Sequence, residues 1–261
     1  MNKIRKYINS NRRLILTIIL IAVFVITLFQ VEWRGGIFHT GGSNTLNSMF
    51  VSFLKPDFSS KIIFLAIKSC WQTFSYAIIS ISLALIMAIP LGIAASGVVH
   101  GNKFIVIITR GIIGFLRAVH ELIWAWIWVA AIGLNPIGAI FALSIPYSGY
   151  LGKIFADTLA QAEKAPITNL KISGAGKFQT LMYGYFPAVF PNMFSYVMYR
   201  LECAVRSSSV LSFIGLGGIG FQIQISLQDL KYDQVCTFML FLIIMILMID
   251  KWGYEVRRRI K

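Results

Sequence analysis

Only ten of the 261 residues are Asp or Glu, charged residues of both signs make up 13%, and cysteine occurs three times. Soluble domains carry about a quarter charged residues, so a chain this poor in charge cannot surround itself with polar surface. A water-soluble enzyme is thereby excluded. Cys70, Cys203 and Cys236 are odd in number and lie within apolar runs, which excludes a disulfide scaffold and suits small buried hydrophobes. The histidines, His39, His100 and His120, are dispersed, and no His, Cys or carboxylate cluster has ligand spacing, so neither a metal site nor a cofactor is expected. Twenty-one glycines without a period exclude collagen. What abounds is hydrophobicity: 57% of residues are hydrophobic and 14% aromatic, with a mean hydropathy of +0.74. The solvent of this chain is lipid.

A membrane-spanning helix needs about 20 apolar residues, and the charge-free runs are long enough to supply several. Leu14–Phe29 follows the basic stretch Lys3, Arg5, Lys6, Arg12 and Arg13, which would also suit a signal peptide. No small-residue cleavage pattern follows it, so it reads as an uncleaved first helix. Residues 69–102, 122–152 and 235–249 are free of charge. The second of these is broken by Gly133-Leu134-Asn135-Pro136, a turn sequence, and forms a hairpin of two spans. A fifth span is expected from about Tyr183 to Phe213, since nothing around Cys203 can turn the chain. The fold class is all-α, a polytopic membrane protein of about six transmembrane helices.

Sorting cations by segment gives 17 on the inner side and 5 on the outer if the N-terminus is inside. That asymmetry obeys the positive-inside rule and accounts for the net charge of +14 through topology and lipid headgroups, with no nucleic acid needed. Both termini are then cytoplasmic, with Lys103, Arg110 and Arg117 in an inner loop. The loop after the fourth span, Phe155–Thr180, is too long for a plain turn. Pro166 suits a first helical position and Gly174 a C-terminal stop, while Ile167 and Leu170 share one face at i, i+3 spacing. A short helix is expected there, with an apolar stripe and no core beneath it. Such a helix either lies on lipid or docks a cytoplasmic partner.

Three charges inside the fifth span need an explanation, because a charge facing lipid near the bilayer centre costs about 2.5 to 3.5 kcal/mol. Counted from Tyr183, Arg200 lies roughly 25 Å in at 1.5 Å per residue, toward the outer half. Glu202 and Arg206 are four apart and can pair on one face, whereas Arg200 has no local partner and would meet a carboxylate such as Glu121. Either the charges fix helix packing, or two guanidiniums against one carboxylate bind an oxyanion, with Ser207 beside them. Gly215-Leu216-Gly217-Gly218-Ile219-Gly220 has the spacing of a dinucleotide loop but lacks its strand-helix context, and is expected to form a gate-like turn.

Gly174, in Ser173-Gly174-Ala175-Gly176, followed 13 residues on by Pro187 in Tyr185-Phe186-Pro187, resembles the cytoplasmic loop of ATP-binding-cassette importer permeases with the methionine-permease-like, type I fold. Thr168 and Asn169 stand where that family usually has Glu and Ala. Tyr199-Arg200-Leu201-Glu202-Cys203-Ala204-Val205-Arg206-Ser207 with the later Gly217-Gly218-Ile219-Gly220 is similar to the fifth helix of phosphonate-importer permeases. Further matches are Pro56-Asp57-Phe58, Ile89-Pro90-Leu91 and Arg117-Ala118-Val119-His120-Glu121-Leu122, where His120 replaces a common Pro.

The resemblance implies a permease subunit in the bacterial inner membrane that carries phosphonate, phosphite or a related phosphorus oxyanion. It would pair as a homodimer, dock two ATPase subunits through Pro166, Ile167, Leu170, Gly174 and Pro187, and receive substrate from an extracytoplasmic binding protein. Arg200, Glu202, Arg206, Ser207 and Glu121 would line the substrate path, with Gly217, Gly218 and Gly220 as the outer gate. The chain holds no Walker loop, so ATP would be hydrolysed by a separate partner, and no catalytic residue is expected. Residues 1–60 would hold the cytoplasmic tail, first helix and outer loop, and residues 61–261 the core, with the coupling loop at about 156–182. Another small solute such as an amino acid, an integral-membrane enzyme and a structural membrane subunit are the alternatives.

Overall fold

The structure, a computed structural model, describes residues 12–30, 42–53, 55–99, 101–162 and 164–260. His39, His100 and the tail cations Lys3, Arg5 and Lys6 lie outside them. The chain divides into two units, Met1–Val51 and Ser52–Lys261. Helix α1 (Arg12–Gln30) belongs to the first, and α2 (Gly42–Phe53) follows it in sequence. The second unit holds α3 (Ser60–Ser96), α4 (Lys103–Ala118), α5 (Glu121–Ile132), α6 (Pro136–Ala160), α7 (Lys164–Ile172), α8 (Lys177–Gln179), α9 (Phe186–Leu211), α10 (Ile219–Gln228) and α11 (Tyr232–Ile260). No strand occurs among the described residues.

Among the described residues three helices, α3, α6 and α11, are long and apolar enough to cross a membrane. Two bent pairs pass the same test: α4 with α5, at 84°, and the α8–α9 segment with α10, at 50°. The described part of the first span, Leu14–Gln30, is a shorter apolar helix. Large apolar side chains point outward all round the bundle, among them Phe64 and Ile86 on α3 and Leu247 and Met248 on α11, as a lipid solvent requires.

Local chemistry sets the breaks. At the expected hairpin, Gly133 takes φ 75° to end α5, the Asn135 side chain caps α6 by accepting from the Ile137 N–H at 2.9 Å, and Pro136 opens the helix. His120 caps α5 by accepting from the Leu122 N–H through Nδ1 at 3.3 Å. A wide π-helical stretch, Thr180–Tyr185, joins α8 to α9 without interruption. It runs up to Pro187, which has no N–H to donate and whose ring crowds the preceding turn.

The inner loop expected around Arg110 is instead helix α4, which together with α5 forms a bent pair apolar enough for a broken span or a re-entrant segment. Its cations occupy a helix face, while Phe104, Ile107 and Phe115 are exposed on the rest. The core lies between α3 and α6, where Ala77, Ala84 and Ala88 face Leu143, Leu151 and Phe155. Gly92 permits the approach: a Cβ there would stand 2.7 Å from Phe155 Cβ.

Candidate functional site

The three charges of α9 find partners that the i, i+4 rule does not supply. Glu202 pairs with Arg257 of α11, and Arg206 donates from Nη2 to both oxygens of Asp250, at 2.8 and 2.6 Å. The expected pairing of Glu202 with Arg206 is therefore replaced by two bridges to the last helix. Glu202 and Arg206 are drawn apart by opposite charges 55 and 44 residues away in sequence. Gly253 makes room for the Glu202 carboxylate, because a Cβ there would collide with it. Burial of a carboxylate 8% exposed is tolerable only with such a counter-ion.

The register of these bridges also gives the place of the trio along α11. Asp250 lies 18 residues beyond Tyr232, roughly 27 Å along α11, on the way to Arg257, Arg258 and Arg259. The charges therefore sit toward the end of the bundle that carries this arginine cluster, away from the glycine-rich turn. Helix α9 itself continues a helical stretch that begins at Lys177, six residues before Tyr183.

Arg200 is not paired with Glu121. Its Nη2 donates to Tyr196 Oη at 2.8 Å, and its guanidinium carbon stands 4.2 Å from the ring centre of Tyr150, 5.2 Å from Tyr196, 5.7 Å from Tyr199 and 6.0 Å from Tyr147. Cation–π contact stabilises the charge without neutralising it. No carboxylate among the described residues forms an ion pair with Arg200, and its Nε is buried without a hydrogen-bond partner. Glu121 accepts from Ser207 Oγ at 2.7 Å, and Ser207 meets Tyr147 Oη at 3.2 Å, so a hydrogen-bonded chain links α6, α9 and α5 beside the cage. Of the trio, Arg200 alone keeps an uncompensated charge.

The glycine-rich break is packed tightly. Gly215, Gly217 and Gly218 have φ of 94°, 83° and 92°, a region that side chains other than glycine rarely adopt. A Cβ on Gly218 would stand 2.6 Å from Thr73 Oγ1, and one on Gly220 would strike the Ser209 carbonyl. Thr73 anchors the turn from α3: its hydroxyl accepts from the Ile219 N–H at 2.9 Å, and its carbonyl accepts from Ser208 Oγ at 3.1 Å. Helix α10 follows directly, where a simple turn was expected.

In the long loop, α7 spans Lys164–Ile172, opening two residues before the expected start at Pro166, and is closed by Gly174, φ 84°. The Ala175 N–H reaches the Leu170 carbonyl and the Gly174 N–H the Lys171 carbonyl, each at 3.1 Å, a Schellman closure that calls for glycine. The stripe expected to lack a core has one: Ile167 is 4% exposed, and with Leu170 it rests on Gly184 of the π-helical stretch. The opposite face leaves Asn169 and Ile172 exposed, Pro166 and Pro187 are exposed, and nothing lies near Gly174.

Sequence reasoning missed Tyr147, Tyr150, Tyr196, Asp250, Gly253, Arg257 and Thr73. Asp250 carried a signal, since it ends an otherwise charge-free run at membrane depth. The tyrosines carried none, being indistinguishable from core aromatics.

Residues 81–250 match the family of binding-protein-dependent transport system inner membrane components. HtxC of Stutzerimonas stutzeri, assigned to phosphite transport as a permease protein, is 30% identical over 209 residues, 80% of this chain and 73% of HtxC. The phosphite transport system permease protein PtxC of the same organism is 28% identical over 208 residues, 80% of this chain and 75% of PtxC. In fold, the chain is similar to a subunit of the inward-facing MetNI methionine ABC transporter, with a TM-score of 0.69 and 18% identity over 78% of this chain and all of that one. The fold is that of type I ABC importer permeases. With the matched segment covering well over half its length, the chain belongs to the binding-protein-dependent transport system inner membrane component family.

Proposed function

We propose that the chain is the membrane-spanning subunit of an ATP-driven importer for phosphonate, phosphite or a related phosphorus oxyanion. The observation that carries this reading is Arg200, a guanidinium held by tyrosines with no carboxylate to neutralise it. A planar guanidinium matches two oxygens of a phosphorus oxyanion, and the phosphite assignment of the relatives supports that ligand class. Ser207 and Glu121 set the far wall of the path, and Glu202 and Arg206 hold α9 to α11 beside it.

In this reading two copies enclose the path, with both termini in the cytoplasm and the Gly217, Gly218 and Gly220 turn as the outer gate. Two ATPase subunits dock at α7 and Gly174, with Pro166 and Pro187 flanking the contact. An extracytoplasmic binding protein delivers the substrate. The exposed face of α7 and the open space around Gly174 support the docking role.

The test is uptake of phosphonate and phosphite by membranes carrying Arg200→Gln or Arg200→Lys, with ATPase and binding protein supplied. Arg200→Gln should keep wild-type abundance and lose uptake roughly 10- to 100-fold, the worth of a hydrogen bond to a charged group. Arg200→Lys should recover only part of it, because an ammonium cannot offer the planar fork. Full uptake by abundant Arg200→Gln would overturn the proposal.

A further inference from the structure

A second cluster of cations lies outside this path, where α4 crosses α6. Gly149 and Gly152 let the two helices meet closely: a Cβ on Gly149 would stand 3.0 Å from both the Ile113 carbonyl and Leu116 Cβ. That contact sets Arg110 and Arg117 of α4 beside Lys153 of α6 around a cavity of about 120 Å³, completed by Gly114 and Asp157. The cavity is under-neutralised. Asp157 approaches Arg110 at 3.9 Å, and Arg110 Nε also donates to the Ala95 carbonyl at 3.1 Å. Among the described residues neither Arg117 nor Lys153 has an ion-pair partner. Three cations thus face one carboxylate.

The neighbouring surface is apolar. Ile107 and Phe115 of α4 are 69% and 62% exposed, while Gly111 and Gly114 leave open space between them. Lys153 lies 17 residues beyond Pro136 on α6, roughly 25 Å along a helix long and apolar enough to cross a membrane, which is close to the far end of a hydrocarbon core of about 30 Å. A basic notch near the end of the hydrocarbon core, flanked by an exposed apolar strip, is complementary to one molecule: a phospholipid with net negative charge.

We propose that Arg110, Arg117 and Lys153 bind the phosphate of an anionic phospholipid, with its acyl chains lying along Ile107, Gly111 and Phe115. Basic pockets between membrane helices hold such headgroups by charge, and a zwitterionic lipid brings its own cation into a site that already holds three. The bound lipid fills the notch between α4 and α6 and secures the bent pair α4–α5 against the core.

The experiment is lipid retention by the purified full-length chain, read by native mass spectrometry after incubation with phosphatidylglycerol or phosphatidylcholine. Phosphatidylglycerol should be retained preferentially, and each of Arg110→Gln and Lys153→Gln should reduce the preference roughly five-fold. Lys103→Gln, on the same helix but away from the notch, should leave it unchanged. Equal retention of the two lipids by the wild-type chain would overturn the proposal, whatever the variants do. So would displacement of phosphatidylglycerol by excess inorganic phosphate, which would mark a water-filled anion site, or a notch occupied by a second copy, seen as a dimer that persists when lipid is stripped and is lost in Lys153→Gln.

Discussion

Gly253 of α11 stands against the Glu202 carboxylate of α9, and the absence of a side chain there is what lets Glu202 reach Arg257. Gly253→Ala should push the carboxylate out of its pocket and break a bridge whose partners are 8% and 25% exposed. The expected loss is about 3 to 5 kcal/mol, the penalty for an uncompensated buried charge. Lower membrane abundance and a lower melting point in detergent would record it, and an unchanged melt would refute it.

The same bridge separates neighbouring arginines. Arg257→Gln should destabilise about as strongly as Glu202→Gln, whereas Arg258→Gln, one residue on and exposed, should change stability by less than about 0.5 kcal/mol. In the double variant Glu202→Gln with Arg257→Gln the two losses should not add. Strict additivity in the melting data would show that the pair is not coupled.

Thr73 offers a test of the glycine-rich break. Thr73→Val keeps the shape but removes the acceptor for the Ile219 N–H, a fully buried group, and should cost about 1 to 3 kcal/mol. Thr73→Ser retains the hydroxyl and should stay close to wild type. Equal melting of the two variants would mean that the hydrogen bond does not hold the turn.

Gly174 has free space around it but a left-handed backbone. Gly174→Trp should therefore strain α7 only locally, by about 1 to 2 kcal/mol, leaving insertion intact while uptake and assembly with the ATPase fail. Normal uptake with normal assembly would remove α7 from the docking role.

Turns and caps were legible in the sequence because a few residues determine them locally. Gly133 permits a left-handed φ, Asn135 caps the next helix and Pro136 fixes its first φ, each within a residue or two, and the closure at Gly174 is equally local. Helix α4 was hidden by its cations, since a search for charge-free runs discards any span with a basic stripe. Lys103, Arg110 and Arg117 recur every seven residues, two helical turns, and that spacing was the available signal. The charge pairs of α9 were illegible for another reason. Glu202 and Arg206 satisfy the local rule for a pair, yet tertiary packing brings Arg257 and Asp250 closer, and no local rule reaches across 44 or 55 residues.

The seat of Ile167 and Leu170 on Gly184 gives the long loop a mechanical property. From Gly184 the chain runs as unbroken helix to Arg200, 16 residues or roughly 24 Å away. Pro187 and Pro191 remove rungs from its hydrogen-bond ladder, but the helix continues through them, and the close contact at Gly184 leaves little slack at its foot. In the proposed docking role, a push on α7 would reach the tyrosine cage through the helix that carries Arg200. Softening this strut, with Gly184 enlarged to lift α7 off its seat, would leave both ends folded and disconnect them.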